Sequence, residues 1–400
     1  MAARPRNVSV LDRPPARLVM SVPLEIVDIG TCQSEASIIT MNEALSDVLE
    51  KIAPIDSEIV TKARARTAQL VMPPRALGTL HDIAEKLCGI GATLSPDVNK
   101  KAILVFAGDH GVARERVSAY PQDITATMVC TFLAGGAGIN ALARHIGADV
   151  FVVDMGIAKA LAVNALPHAD KLRMQSIAKG TRNFTRMPAM TRKQAEEAVM
   201  KGFEAASERF AQGCQLIGTG DMGIGNTTAS AAIGMCVCKT SVDDMVGRGT
   251  GVDSAGLARK KSVVVKALEL HQPSADDGLD VLAKVGGFEI GGIAGGILAA
   301  AFHKKPVVVD GFISTAGALI AHLLCRHCVD YMFAGHLSEE TGHGIMLKHL
   351  GLEPILQLGM RLGEGTGAAL AMGIIDAAVQ VHTQVLTFAE ANVQARLVSD

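Results

Sequence analysis

The chain reads as an α/β protein with a mostly parallel sheet, and three observations carry that reading. Short, uninterrupted apolar runs recur along it, helix-length segments separate them, and each run ends in an acid or a histidine beside glycine. Continuous apolar runs are what strands look like when both faces are buried, as in parallel sheets. Strands alternating with helices are the pattern of a parallel sheet with helical crossovers.

Taken in order, the residues before 99 hold no strand. Segments 42–52, 57–70 and 78–90 have helical patterns and form a helical block. The first strand, 101–108, runs into Asp109-His110-Gly111, and 148–153 runs into Asp154-Met155-Gly156. Residues 215–220 meet Asp221-Met222-Gly223, 306–309 meet Asp310-Gly311, and 331–335 meet His336. The last run, 354–358, leads to Gly363-Glu364-Gly365. Segments 124–145, 194–210 and 366–381 are the clearest helices between and after these strands. A polar stretch between Gly156 and Arg192 has no period, and loops of that length inside compact domains tend to be functional.

The division that follows is a leader at 1–40, disordered in part, and a helical part of a small domain at 41–98. A parallel α/β substrate-binding domain spans 99–365, and C-terminal helices at 366–400 return to the small domain. The first twenty residues carry Arg4, Arg6, Arg13 and Arg17 against Asp12, with prolines interrupting any helix. A disordered tail is the plain reading of that composition; a transit segment or a start at Met20 are the alternatives.

Composition narrows the function. A net charge of −2 gives no electrostatic pull toward nucleic acid or an anionic membrane, so neither is expected as a partner. No run reaches about 18 uninterrupted apolar residues, the length a membrane span needs. The 8 cysteines are scattered through apolar segments of a 400-residue chain, which fits reduced core thiols in a cytoplasmic protein. Cys325-Arg326-His327-Cys328 has no second ligand pair at zinc-site spacing. His336, Glu339, Glu340 and His343 can be drawn as a metal cluster, but solvated or capping roles suit them better, and no metal or cofactor is expected.

The chemistry gathers on the glycine-rich strand ends. Gly218-Thr219-Gly220-Asp221-Met222-Gly223 fits a dinucleotide fingerprint, but the acid-ended second strand that a dehydrogenase needs is missing from the stretch that follows. Phosphate or ribose binding is the better use of these glycines. Gly223-Ile224-Gly225-Asn226-Thr227-Thr228 opens a helix whose free N–H groups and hydroxyls suit an anion. Gly247-Arg248-Gly249-Thr250-Gly251 repeats the device before a helix that Asp253 can cap and that carries Lys260 two turns in. There is no Walker motif, and the Val309-Asp310-Gly311 turn lacks the paired acids that hold magnesium in pyrophosphate-ribose loops. Glu364, with glycine on both sides, gains no helix and covers no core. A carboxylate held there at the carboxyl edge of a sheet is the candidate base.

These residues resemble the nicotinate-nucleotide–dimethylbenzimidazole phosphoribosyltransferase family. The resemblance rests on Phe106-Ala107-Gly108-Asp109-His110-Gly111-Val112, Val117-Ser118-Ala119-Tyr120-Pro121, the Met222-to-Thr228 run, Gly249-Thr250-Gly251-Val252-Asp253, Ala334-Gly335-His336-Leu337-Ser338 and the Glu364 loop. It covers roughly residues 42–385. The resemblance implies a homodimer with a Rossmann-like parallel sheet and a small helical domain made from both chain ends. It implies transfer of phosphoribose from nicotinate mononucleotide to 5,6-dimethylbenzimidazole, giving α-ribazole 5'-phosphate and nicotinate for the lower ligand of cobalamin. The base maps onto Glu364, with Asp221 as a second catalytic acid. Gly223, Gly225, Asn226, Thr227, Gly249, Thr250, Gly251, Lys260 and Ser338 would surround the donor, with Asp310 nearby. Ser118, Tyr120, Met128 and Leu362 are candidates for the flat acceptor pocket. The family usually carries glutamate at the position of Asp221, so a direct role there must span one missing methylene. Related enzymes accept purines or phenols, which leaves the acceptor open, and a nucleotide-binding sensor without catalysis is the reading from another class.

Overall fold

In the computed structural model, residues 44–161, 163, 166–249 and 251–394 are described. The expected leader at 1–40 and Thr250 lie outside them. Three helices come first: α1 (44–50), α2 (Ser57–Thr67) and α3 (Thr79–Gly91). The start of α2 follows from Asp56, whose carboxylate accepts the Ile59 N–H at 3.0 Å and satisfies one of the free amides of the first turn.

The sheet begins with β1 (Lys101–Gly108), every residue of which is buried. Then follow α4 (Ile124–Ala134), α5 (Gly138–His145), β2 (Ala148–Gly156), β3 (Leu172–Met174), α6 (Arg192–Ala211) and β4 (Leu216–Met222). After β4 come α7 (Asn226–Cys238), the single turn α8 (Val242–Met245), α9 (Ser254–His271), α10 (Gly278–Val285) and α11 (Phe288–Phe302). The last part holds β5 (Val307–Val309), α12 (Phe312–Leu324), β6 (Met332–His336), α13 (His343–Leu350), β7 (Pro354–Leu356) and α14 (Thr366–Gln384).

All strand pairings in the sheet are parallel, in the order β3-β2-β1-β4-β5-β6-β7. The chain works outward from β1 to β3, then restarts at β4 on the other side. That places the topological switch between β1 and β4, where open parallel sheets leave a crevice beyond their carboxyl ends. Asp109 and Asp221 stand on its two sides.

Small residues set the packing of the helical layers. In α11 all but the last residue are buried, and a Cβ at Gly295 would lie 1.8 Å from the carbonyl oxygen of Val199 in α6. The two helices touch backbone to backbone there, so the apolar run that is too short to span a membrane is a core helix. The chain's end returns to its beginning: Leu70 and Thr387 form an antiparallel bridge, and the Arg66 guanidinium donates to the carbonyl of His382 at 3.1 Å.

Two expectations need correction. The apolar segment 124–145 is two helices, because the chain turns at Gly135, which has φ 79°, and starts again at Gly138. The polar excursion after Gly156 holds a strand, β3, whose three residues pair only with β2 at the sheet's edge. A short, half-exposed edge strand needs no apolar run.

Candidate active site

At the carboxyl ends of β4, β5 and β6 lies a cavity of about 430 Å³, lined mostly by apolar side chains. Among the expected site residues, Tyr120, Met128, Asp221, Gly223, Asn226, Thr227, Gly249, Ser338, Leu362 and Glu364 line it. The glycine loops, Ser338, Met128 of α4, Met222 and the Glu364 loop all form part of its wall. Tyr120 is 54% exposed and Leu362 60% exposed, so both stand at the mouth rather than in the core.

Glu364 is built into this wall by its backbone. Gly363, Glu364 and Gly365 all have positive φ, at 81°, 63° and 91°. A non-glycine residue in that region costs about 1–2 kcal/mol, and the turn persists because its surroundings fix it. A Cβ at Gly220 would come within 2.5 Å of the Glu364 carbonyl oxygen, so glycine in β4 lets the loop lie directly on the strand. The carboxylate is 6% exposed, and its Oε2 accepts the N–H of Ile139 at 3.1 Å. That donor is one of the free amides opening α5, and helix N-termini favour negative charge. Burial raises the Glu364 carboxyl above the ordinary glutamate range; the Ile139 N–H opposes this, and the Asp310 carboxylate adds to it.

Ile139 and Gly138 belong to the site without being singled out by any sequence motif described above. A Cβ at Gly138 would lie 3.3 Å from Glu364 Oε2, so the bare backbone there gives the carboxylate room. The available signal is Gly135-Gly136-Ala137-Gly138, a glycine cluster inside an otherwise apolar run.

Asp221 ends β4 with one oxygen held and one free. Its Oδ2 accepts the Asn226 amide N–H at 2.9 Å, while Oδ1 is buried with no partner among the described residues. Burial first, then the carboxylates of Asp310, Glu289 and Glu364, raise its pKa well above the carboxylate range. Burial among other carboxylates thus favours the protonated form of Asp221 beside the Glu364 loop.

The cationic part of the site is one layer behind the surface. Lys260 is fully buried, and its Nζ donates to Thr227 Oγ1 at 2.9 Å and to the Gly247 carbonyl at 3.2 Å. Because the Thr227 oxygen accepts from an ammonium, its own O–H is left to donate into the cavity. Burial pushes Lys260 down to about 8, against the opposing pull of Glu340. Gly225, with φ 102°, caps α7 just behind the wall. Gly251 lines a neighbouring polar cavity of about 560 Å³ that shares Gly249, Glu340 and Arg361 with the first. Ser118 is half-buried beside the mouth, and its Oγ accepts the Tyr120 N–H at 3.2 Å.

Asp310, expected near the donor, stands behind the cavity wall. It does not line the cavity; its Oδ2 accepts the Gly365 N–H at 3.2 Å and its Oδ1 accepts the Ala368 N–H at 2.9 Å. Both oxygens are thus spent on the start of α14, immediately behind Glu364. Burial pushes this carboxyl up to about 7, against the pull of those backbone donors.

A phosphoribosyltransferase family model matches residues 52–393. The chain is 50% identical over 349 residues to the nicotinate-nucleotide–dimethylbenzimidazole phosphoribosyltransferase of Geobacter sulfurreducens, covering 87% of this chain and 98% of that one. It is 48% identical over 352 residues to the protein of the same name from Chloroflexus aggregans, covering 88% and 98%. Among solved structures, the nicotinate-nucleotide–dimethylbenzimidazole phosphoribosyltransferase of Thermus thermophilus superimposes with a TM-score of 0.80 at 42% identity. That match covers 86% of this chain and 100% of the other.

Proposed function

The chain belongs to the nicotinate-nucleotide–dimethylbenzimidazole phosphoribosyltransferase family, and we propose that it performs that family's reaction with Glu364 as the base. The enzyme is a pentosyltransferase that moves phosphoribose from nicotinate mononucleotide to 5,6-dimethylbenzimidazole, forming α-ribazole 5'-phosphate and nicotinate. The observation that carries the residue assignment is the Glu364 carboxylate itself. It is buried in the cavity wall with one oxygen tied to Ile139 and the other without a hydrogen-bond partner among the described residues.

The step balances with one base. A nitrogen of the benzimidazole attacks the anomeric carbon, and the bond from that carbon to the pyridinium nitrogen breaks with its electrons. The pyridinium leaves as a neutral ring, so no general acid is needed at the leaving group. The acceptor's N–H proton passes to Glu364, whose raised pKa suits it to receive a proton near neutral pH. Attack on the face opposite the leaving group inverts the β linkage to α. The negative charge of Glu364 also favours the cationic character that develops on the ribose. Apolar Met128, Met222 and Phe312 in the wall suit a flat aromatic acceptor.

The donor phosphate belongs with the glycine loops. Thr227 O–H and the amides opening α7 supply donors, and Lys260 behind them supplies charge that no ion pair neutralises among the described residues. Lys260 is charged below about 8 and neutral above it, so donor affinity should hold up to that pH and then weaken. Calorimetric titration with nicotinate mononucleotide between pH 7 and 9.5 checks this, with about a tenfold loss per pH unit expected above the Lys260 pKa. Lys260→Met should remove the pH dependence together with the affinity.

Asp221 is assigned to pack against the Gly363 turn of the Glu364 loop and to present Oδ1 to the site. Asp221 lines the cavity, so Asp221→Glu can extend into it and should keep activity within about threefold of wild type. Loss of folding or of turnover in that variant would mean that the pocket is built around the shorter acid.

The homodimer and the cytoplasmic location are parts of the same proposal. Exposed Leu358, Leu362 and Tyr120 near the mouth support an interface between copies, which light scattering measures. The reaction is tested by incubating pure protein with nicotinate mononucleotide and a panel of benzimidazoles, purines and phenols, then weighing the products. A mass corresponding to α-ribazole 5'-phosphate is expected; no ribosylated product with any base would overturn the assignment.

A further inference from the structure

His343 opens α13 and is fully buried. Its two ring nitrogens are both engaged, and the partners fix which one carries the proton. Nδ1 accepts the backbone N–H of Ser338 at 2.8 Å, so Nδ1 is bare. The proton is therefore on Nε2, which lies 2.9 Å from Thr315 Oγ1. Thr315 in turn donates its hydroxyl proton to the Gly311 carbonyl at 2.8 Å, so its oxygen is free to accept. The chain of bonds runs in one direction, from Ser338 through the imidazole and Thr315 to Gly311.

Its two ends matter because Ser338 and Gly311 both line the cavity. Ser338 follows β6 and Gly311 follows β5, and the two turns lie side by side, a Cβ at Gly311 falling 3.9 Å from that of Ser338. Beyond the sheet, His343 and Thr315 add a hydrogen-bonded link between them. We propose that His343 is a positioning residue that, as the neutral Nε2–H tautomer, sets the spacing of the Ser338 and Gly311 turns and hence the fit of the donor nucleotide. The proposal rests on the reading that Ser338 borders the donor. Burial, with His336 nearby, pushes His343 down to about 3, so the ring keeps this tautomer across the working range. A metal-ligand role for His343 is excluded by the same bonds, since neither nitrogen is left over.

Nitrogen-15 NMR of histidine-labelled protein reads the tautomer directly. A neutral Nε2–H signal for His343, unchanged between pH 5 and 8, is expected; an Nδ1–H or a protonated ring in that range would overturn the proposal. Kinetics give the second readout. In His343→Asn the amide oxygen can take the place of Nδ1, and in His343→Gln the amide nitrogen can take the place of Nε2. The Ser338 amide keeps an acceptor only in the asparagine variant, so KM for nicotinate mononucleotide should rise about threefold or less there. In the glutamine variant it should rise about tenfold, since a buried donor is left unpaired. In both, kcat should stay within about threefold. Folded variants that both retain the wild-type KM, or that lose kcat instead, would contradict the proposal. Wild-type turnover tests the reaction separately from the tautomer, so failure of one is distinguishable from failure of the other.

Discussion

Glu364→Gln should lower kcat by about 10²–10⁴-fold, the range a positioned general base contributes. The amide cannot take the acceptor's proton, yet it keeps the shape of the side chain, and its Oε1 can still accept the Ile139 N–H. Calorimetry should therefore find donor affinity within about twofold of wild type. In wild-type protein the rate should rise with pH through an ionisation above the ordinary glutamate range, because burial raises Glu364 and the base must be a carboxylate to act. That ascending limb should vanish in the glutamine variant. Comparable turnover in Glu364→Gln would remove this residue as the base.

Asp310→Asn should be the most damaging change outside the cavity wall. Its two carboxylate oxygens hold the N–H groups of Gly365 and Ala368, and an amide can serve only one of them. The Glu364 turn has positive φ at three successive residues and relies on such anchors to stay there. A displacement of about 1 Å at a reacting group can cost around a hundredfold, so a loss of about 10–100-fold in kcat is expected. A second effect runs the other way. The Asp310 carboxylate helps raise Glu364, so its removal lowers the Glu364 pKa and the ascending limb should move to lower pH. A slower enzyme with its pH profile displaced downward separates this anchor from a general loss of stability. An unchanged profile would mean that Asp310 and Glu364 are not electrically coupled.

The central strands are legible in the sequence because both their faces are buried, as every residue of β1, β5 and β6 is. Segments 101–108, 148–153 and 306–309 are mostly apolar, and each overlaps a strand of the sheet. β3 is not legible, since Leu172-Arg173-Met174 pairs on one side only and needs no apolar pattern. The break at Gly135 is marked only by the glycine cluster at 135–138 inside an apolar run, and with it goes the α5 amide that holds Glu364. Glu364 itself stands out because a lone carboxylate between glycines serves neither helix nor core. Asp310 ends a strand as Asp221 does, which suggests a group facing substrate. Position at a strand end does not say which way the carboxylate turns, and the free amides of α14 claim it. The sequence puts Lys260 near the phosphate loops, but its place behind Thr227 depends on packing between α7 and α9 that no local pattern encodes.

A structure of the protein soaked with 5,6-dimethylbenzimidazole and nicotinate mononucleotide bears most directly on the proposed chemistry. An acceptor ring lying in the cavity, with its N–H within about 3 Å of Glu364 Oε1 and its other nitrogen turned to the ribose, is the arrangement required. A ring bound out of reach of Glu364, or a Glu364 carboxylate swung into solvent while both substrates are seated, would contradict it.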